Sequence, residues 1–210
     1  MTEKDNHSSL KNRLVFEKIP AELRVRKQWV LWGWGNTEKG KRTKVPKTLG
    51  ERGIIAAKSN DPASWLSFEE TKAAYTENPE TFAGVMMALT AEDSYGFIDL
   101  DNAVDSEGHI KFWAQEITDQ FQSYAELSVS GTGVHIISRG KKDKKWMKSG
   151  HAKSKVCRTI YQDGEIEVHD QKRFVVFTGE LLGPERLISN TQAGLDWLVE
   201  NAFAAKAKRR

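Results

Sequence analysis

An α+β fold with a mostly antiparallel sheet is the class this 210-residue chain predicts. Three observations carry it. Short apolar runs alternate with glycine turns, the pattern of strands joined tightly to their neighbours. Residues 109–121 space their apolar side chains three and four apart, as amphipathic helices do, and residues 191–204 carry an apolar helical face. Seven Trp, nine Phe and four Tyr in a 39% apolar chain supply a core that a solvated chain would not need. The length suits one domain, or two small lobes sharing an interior.

Taken in order, residues 28–35 (QWVLWGWG) are aromatic and β-like. A lysine-rich turn and T-K-V-P follow, so the pair is expected as a hairpin. Asp61 and Pro62 supply an N-cap and a first-turn residue for a helix reaching about residue 75. Residues 83–89 and 96–100 are apolar strands, followed by the helix 109–121 with Ile110, Trp113, Ile117 and Phe121 on one face. Strands at 125–130 and 134–138, separated by a glycine turn, complete a β-α-β-β order. Residues 165–168 and 173–177 are expected as another hairpin. The last helix carries Leu195, Leu198 and Phe203.

Composition excludes several classes. One cysteine rules out a disulfide framework and any multi-cysteine zinc site. The longest clearly apolar stretch, 85–89, is too short to span a bilayer. The first ten residues, MTEKDNHSSL, lack the apolar centre of a signal peptide, so a soluble, cytoplasmic protein is expected, with no membrane partner. A net charge of +3 names no partner by itself. Its distribution says more, because residues 141–158 (KKDKKWMKSGHAKSKVCR) hold eight basic residues and one acid, and the chain ends KAKRR. Such a run is either a solvated loop or a surface for binding phosphates, here Lys141, Lys142, Lys144, Lys145 and Lys148. Trp146 within it permits stacking on a base or anchoring to the core.

Three segments could carry chemistry. In G-F-I-D-L-D-N-A, Asp99 and Asp101 sit two apart on a strand, hence on one face and about 7 Å apart along it. Two carboxylates there either mark a solvated acidic turn or hold a hard divalent cation. An EF-hand loop is excluded, because Val104 stands where its glycine is required. In S-V-S-G-T-G-V-H-I-I a glycine turn, able to bring backbone N–H groups near an anion, precedes a strand carrying His135. In G-E-I-E-V-H-D-Q-K-R-F-V-V-F, Glu165, Glu167 and His169 share a face while Ile166 and Val168 face the core. Alone this is an edge strand with a charged outer side; beside Asp99 and Asp101, Glu167 supplies the third carboxylate of a two-metal site. Gly35, Gly40 and Lys41 nearly match a P-loop, but Arg42 replaces its Ser/Thr and a strand follows, so no ATPase is encoded.

Together and in this order, the three segments resemble the primase-polymerase domains of phage and plasmid replication proteins, in the archaeo-eukaryotic primase superfamily. The upstream WVLWGWGNTEKGKRTKVP and SNDPASWLSFEE are similar to their amino-terminal region. The resemblance implies an RRM-like catalytic core fused to a smaller N-terminal α/β lobe, with nucleotidyl transfer in the cleft between them. It implies a catalytic domain over residues 1–190, its N-terminal lobe at roughly 15–80, and a helix and basic tail at 191–210 leading toward a helicase region. Asp99 and Asp101 match the first acidic motif, His135 the histidine that contacts the nucleotide's phosphates, and Glu167 the third acid. Asp170 is the rival for that last place; Glu167 is preferred because Ile166 and Val168 flank it on a strand. Lys44, His135 and Arg173 would supply donors to phosphates. Many members carry Ser or Thr where this chain has Gly133, so that hydroxyl is missing or its part falls to Ser130, Thr132 or backbone amides.

The implied activity is template-dependent nucleotidyl transfer by a DNA primase or polymerase with Mg2+ or Mn2+, in phage, plasmid or mobile-element replication. Its partners would be a single-stranded DNA template and primer, nucleoside triphosphates and a helicase. A non-catalytic single-strand- or origin-binding module and a metal-dependent nuclease are the alternatives.

Overall fold

A computed structural model describes residues 14–142, 146 and 157–203. The fold is α+β, with two five-stranded sheets whose strand pairings are antiparallel. The chain divides into two compact units, Met1–Leu89 with Lys172–Glu180, and Thr90–Gln171 with Leu181–Arg210. Among the described residues no helix is long and apolar enough to cross a membrane.

In the first unit a 3-10 turn (Phe16–Lys18) and a short helix, α1 (Ala21–Arg24), precede a sheet built from β1 (Trp29–Asn36), β2 (Arg42–Gly50), β3 (Gly53–Ala56), β4 (Gly84–Leu89) and β10 (Arg173–Phe177). The strand order is β10-β4-β1-β2-β3. The 28–35 and T-K-V-P hairpin forms as expected, with Trp34 opposite Lys44. Its second strand runs on into β3, whose four residues are all exposed and lack the apolar alternation that would have announced a strand. The interior is aromatic: the Trp29 ring lies 5.1 Å from Phe68 and 5.4 Å from Phe177.

The expected helix from residue 61 is in fact two pieces. Asp61 does cap, accepting from the Ala63 N–H at 3.2 Å, but only a 3-10 turn, Pro62–Ser64. Leu66 then exchanges both backbone hydrogen bonds with Trp29, which holds it extended. The α-helix α2 (Phe68–Glu77) starts afresh at Ser67, where a capping box satisfies two orphan N–H groups: the Ser67 hydroxyl accepts from Glu70 N, and the Glu70 carboxylate accepts from Ser67 N at 2.8 Å.

The second unit contains β5 (Tyr95–Asp101), helix α3 (Phe112–Phe121), β6 (Ala125–Leu127), β7 (Val134–Arg139), β8 (Cys157–Tyr161), β9 (Gly164–His169) and helix α4 (Gln192–Leu198). A π-helical turn, Val199–Phe203, continues α4. The strand order is β6-β7-β5-β9-β8. Strands β7, β5 and β9 are thus interior to the sheet, with β6 and β8 at its edges. One face is apolar: Ile98, Leu100, Val134, Ile136, Ile166 and Val168 are wholly buried against Trp113, Ile117, Phe121, Leu195 and Leu198. Trp146 joins this core with its ring 4.9 Å from Phe203, so it anchors and offers no face to a base.

Two expectations about the segment 164–177 are overturned. Residues 165–168 and 173–177 do not pair as a hairpin. β9 pairs with β5 and β8, while β10 crosses to the first unit and pairs with β4, Val175 opposite Met87. Val175 and Phe177 fill a core that already holds Met87 and Trp29, and Lys172 at φ 54 turns the chain away. Nor is β9 an edge strand, because β8, from the end of the basic run, covers its outer side.

Candidate active site

The site grows from the alternation of β5. Ile98 and Leu100 point into the core, so Phe97, Asp99 and Asp101 take the opposite face of the sheet. Register then decides what stands beside them. Asp99 is opposite His135 on β7 and Glu167 on β9; His135 is in turn opposite Glu126, and Glu167 opposite Arg158. One row of side chains, Glu126–His135–Asp99–Glu167–Arg158, therefore crosses all five strands on one face. Asp101 and its partner Glu165 form the start of the next row.

This row is electrostatically graded. Glu126 is completely buried, and its carboxylate accepts from the Tyr124 hydroxyl at 2.5 Å and stands 3.1 Å from His135 Nδ1. Burial, reinforced by the Glu126 charge, pushes the Tyr124 phenol far above its usual range, so it remains a donor at ordinary pH. With Glu126 as acceptor, Nδ1 carries the hydrogen and Nε2 faces Asp99, whose Oδ1 is 3.8 Å away. The Phe97 ring, 5.0 Å from the imidazole, packs on its side. Across Asp99, Glu167 is buried and both its oxygens are engaged: Oε1 by the Arg158 guanidinium and Oε2 by His169 Nε2 at 3.0 Å. Arg158 Nε also reaches Glu165 Oε1 at 2.9 Å.

The glycine turn after β6 is a chain of hydroxyls. Ser130 Oγ lies 3.0 Å from Ser128 Oγ and 2.9 Å from Thr132 Oγ1, and Ser128 Oγ accepts from Gly133 N at 3.1 Å. A Cβ on residue 133 would come within 2.8 Å of the Leu100 carbonyl and 2.9 Å of Ser128 Oγ. Glycine at 133 is thus required by the Ser128 hydroxyl and the β5 backbone. Ser130 and Thr132 are exposed; Ser128 is buried beneath them.

Beyond Asp101 the strand ends on Asn102, in the left-handed region at φ 57, whose Nδ2 donates to the Asp163 carbonyl at 2.6 Å. The Asp163 carboxylate accepts from Lys111 Nζ at 2.7 Å and Trp113 Nε1 at 2.9 Å, and the Lys111 bond leads in holding it below the usual carboxylate range. Gly164 lies under the Trp113 ring and the Asp101 carbonyl, too close for any Cβ. The turn between β8 and β9 is so pinned to the end of β5.

Of the residues singled out from sequence, Asp99, Asp101, His135, Glu167, Ser130, Thr132 and Gly133 all belong to the second unit. Asp99, His135 and Glu167 share one register row. Lys44 and Arg173 lie in the first unit, Lys44 with its ammonium 5.7 Å from the Trp32 ring and Arg173 exposed at the start of β10. Asp170 follows β9 and is bound by Lys142, whose Nζ is 3.1 Å from Oδ1. Lys141 Nζ donates to the carbonyls of Thr90 at 3.0 Å and Asp170 at 2.7 Å, and burial pulls its ammonium below the usual range. Lys144, Lys145 and Lys148 lie outside the described residues.

Asp99 and Asp101 offer hard oxygen donors on one face, Asp101 exposed and Asp99 28% exposed, which suits a divalent cation. Glu167 is tied to Arg158 and His169 instead. Accordingly, among the described residues no three His, Cys, Asp or Glu side chains converge as a metal-holding group. Sequence reasoning passed over Glu126, Tyr124, Ser128 and Arg158. The signal for Glu126 was a lone acid inside the apolar stretch Y-A-E-L, and for Arg158 its alternation with Cys157 and Thr159.

No family model matches the chain. A curated protein named DNA Primase-polymerase, from Nitratiruptor phage NrS-1, is 32% identical over 156 residues, which is 73% of this chain. Those residues are 19% of the relative, so the chain spans about a fifth of the protein it resembles.

Proposed function

We propose that this chain is a template-dependent nucleotidyltransferase module of the DNA primase or polymerase type, serving replication of a phage, plasmid or mobile element. The observation that carries the reading is the row in which Asp99 stands between His135 and Glu167, with Asp101 one step along the same face. The similarity to a protein named DNA Primase-polymerase supports the same reaction class.

In this reading a primer 3′-hydroxyl attacks the α-phosphorus of a nucleoside triphosphate, a P–O bond forms, and pyrophosphate leaves. Asp99 and Asp101 would hold Mg2+ or Mn2+, with Glu167 joining once it parts from Arg158. Such ions lower the pKa of the attacking hydroxyl and neutralise triphosphate charge. His135, oriented through Nδ1 by Glu126, would donate from Nε2 to a phosphate oxygen in its doubly protonated form. The Ser130 and Thr132 hydroxyls add exposed donors beside it. Single-stranded template, primer and nucleoside triphosphates are the partners, and a helicase acting on the same DNA is the expected companion.

Incorporation of labelled nucleotide by the full chain on a primed single-stranded template tests this directly. Activity should require Mg2+ or Mn2+ and fall by more than roughly a hundredfold in Asp99→Ala and in Asp101→Ala. Thermal stability in metal-free buffer should hold level or rise slightly, because removing one of two same-face carboxylates relieves repulsion. Incorporation within about tenfold of wild type in both variants would refute the assignment. Template binding without incorporation would favour a binding module, and shortening of the labelled strand a nuclease.

A further inference from the structure

Arg158 occupies an unusual place for a residue at the end of a basic run. It closes the register row on β8, opposite Glu167, and its guanidinium bridges Glu165 and Glu167 on the neighbouring strand. The two ends of this bridge differ in environment. The Arg158 side chain is 59% exposed, whereas the Glu167 side chain is 8% exposed and the rest of its carboxylate is held by His169. The guanidinium has water to return to when the pair opens, whereas the buried carboxylate does not. The cation is therefore the mobile member and the carboxylate the fixed one.

Glu167 Oε1 can serve Arg158 or a divalent ion, since both seek the same lone pairs. A guanidinium is also a planar fork of five donors that fits phosphate as well as it fits carboxylate. A nucleoside triphosphate entering beside Asp99 brings several anionic oxygens to the face on which Arg158 lies.

We propose that Arg158 is an exchangeable countercation. In the substrate-free protein it neutralises Glu165 and Glu167; when divalent ion and nucleoside triphosphate enter together, it yields Glu167 to the ion and transfers to the triphosphate. Metal and nucleotide are thereby linked, because with the ion alone the guanidinium exchanges Glu167 for water and keeps only Glu165, whereas a triphosphate offers it a second anion. The inference rests on the nucleotidyl-transfer reading and adds to it a residue and an order of events.

The test uses the full chain without DNA, titrated with Mn2+ in the absence and presence of a nucleoside triphosphate, in wild type, Arg158→Gln and Arg158→Lys. Without nucleotide, Arg158→Gln should bind Mn2+ roughly tenfold more tightly, since one charge-assisted competitor is gone. In the incorporation assay the same variant should raise the nucleotide KM by roughly tenfold, more than it lowers kcat. Arg158→Lys, which keeps the charge and loses the fork, should fall between them on both measures. Removing the cation of buried Glu167 should lower the melting temperature, so a cooperative transition still well above the assay temperature is what separates these effects from unfolding. Unchanged Mn2+ affinity, or an unchanged KM, overturns the exchange. An Asp99→Asn control tells the two readings apart: if it abolishes Mn2+ binding while Arg158→Gln changes nothing, only the exchange falls. If Asp99→Asn leaves Mn2+ binding intact, the metal site and the exchange fall together.

Discussion

Glu126 has little freedom to be anything other than an acceptor for two buried donors. The Tyr124 hydroxyl and His135 Nδ1 both end on its carboxylate, and no part of the residue reaches solvent. Glu126→Gln replaces one of the two acceptor oxygens by an NH2 that faces one of these donors, so one buried bond is broken at a cost of about 1–3 kcal/mol. The functional consequence belongs to His135, whose ring loses the hydrogen bond that aims Nε2 toward Asp99. Glu126→Gln should therefore lower kcat/KM for nucleotide, while the double variant with His135→Ala should be no worse than His135→Ala alone. Additive effects in that cycle would show that Glu126 acts apart from His135. At this scale the sequence singled out Asp99, Asp101, His135 and Glu167 as candidates, because each lies in a short segment whose spacing carries its meaning. It did not show Glu126 or Arg158. Their only link to those residues is cross-strand register, and nothing local encodes which strand lies beside which.

Elements show the same divide between local and distant causes. The first hairpin, β4, β5, α3 and β7 all formed close to where apolar periodicity put them. The helix expected from residue 61 begins instead at Phe68, because two capping signals compete and the bridge between Leu66 and Trp29 decides in favour of the second. Ser67→Ala should thus destabilise the chain by about 1 kcal/mol, whereas Asp61→Ala, which removes only the cap of a 3-10 turn, should cost less. The Glu70 half of the box adds a pH signature. The Ser67 backbone N–H, then its hydroxyl, hold the Glu70 carboxyl below its ordinary 4.5. Its contribution is therefore complete above that value and is lost as pH falls through the lowered one. Urea melts should show the gap between wild type and Ser67→Ala narrowing as pH drops below 4.5. A gap independent of pH would mean that the bond from the Ser67 hydroxyl to the carboxylate contributes nothing, the backbone N–H bond being common to both proteins. The misassigned hairpin at 164–177 has the other kind of cause. A tight turn within one sheet and a crossing to another can use the same residues, and β10's destination was set by the core of Met87 and Trp29, far upstream in the chain.

Across the whole molecule, charge is spread more selectively than its sum of +3 suggests. The basic residues of the run that lie among the described residues, Lys141, Lys142 and Arg158, all have internal partners. Lys141 and Lys142 are bound to Asp170 and its surroundings, and Arg158 to Glu165 and Glu167. Their sequence neighbours Lys144, Lys145 and Lys148 are assigned to DNA by charge alone. The two groups should therefore separate by experiment. Lys144, Lys145 and Lys148 changed together to Ser should weaken binding to single-stranded DNA of any sequence and reduce the salt slope by roughly 0.7 for each phosphate no longer neutralised. Lys141 and Lys142 changed to Ser should instead lower the melting temperature, because Asp170 is buried and would be left without its cation. Fluorescence anisotropy across a salt series reads the first effect and thermal melting the second. A salt slope unmoved by the triple variant would leave the run a solvated loop. A slope that fell equally in the Lys141/Lys142 variant at full stability would show that these two lysines leave Asp170 when DNA arrives.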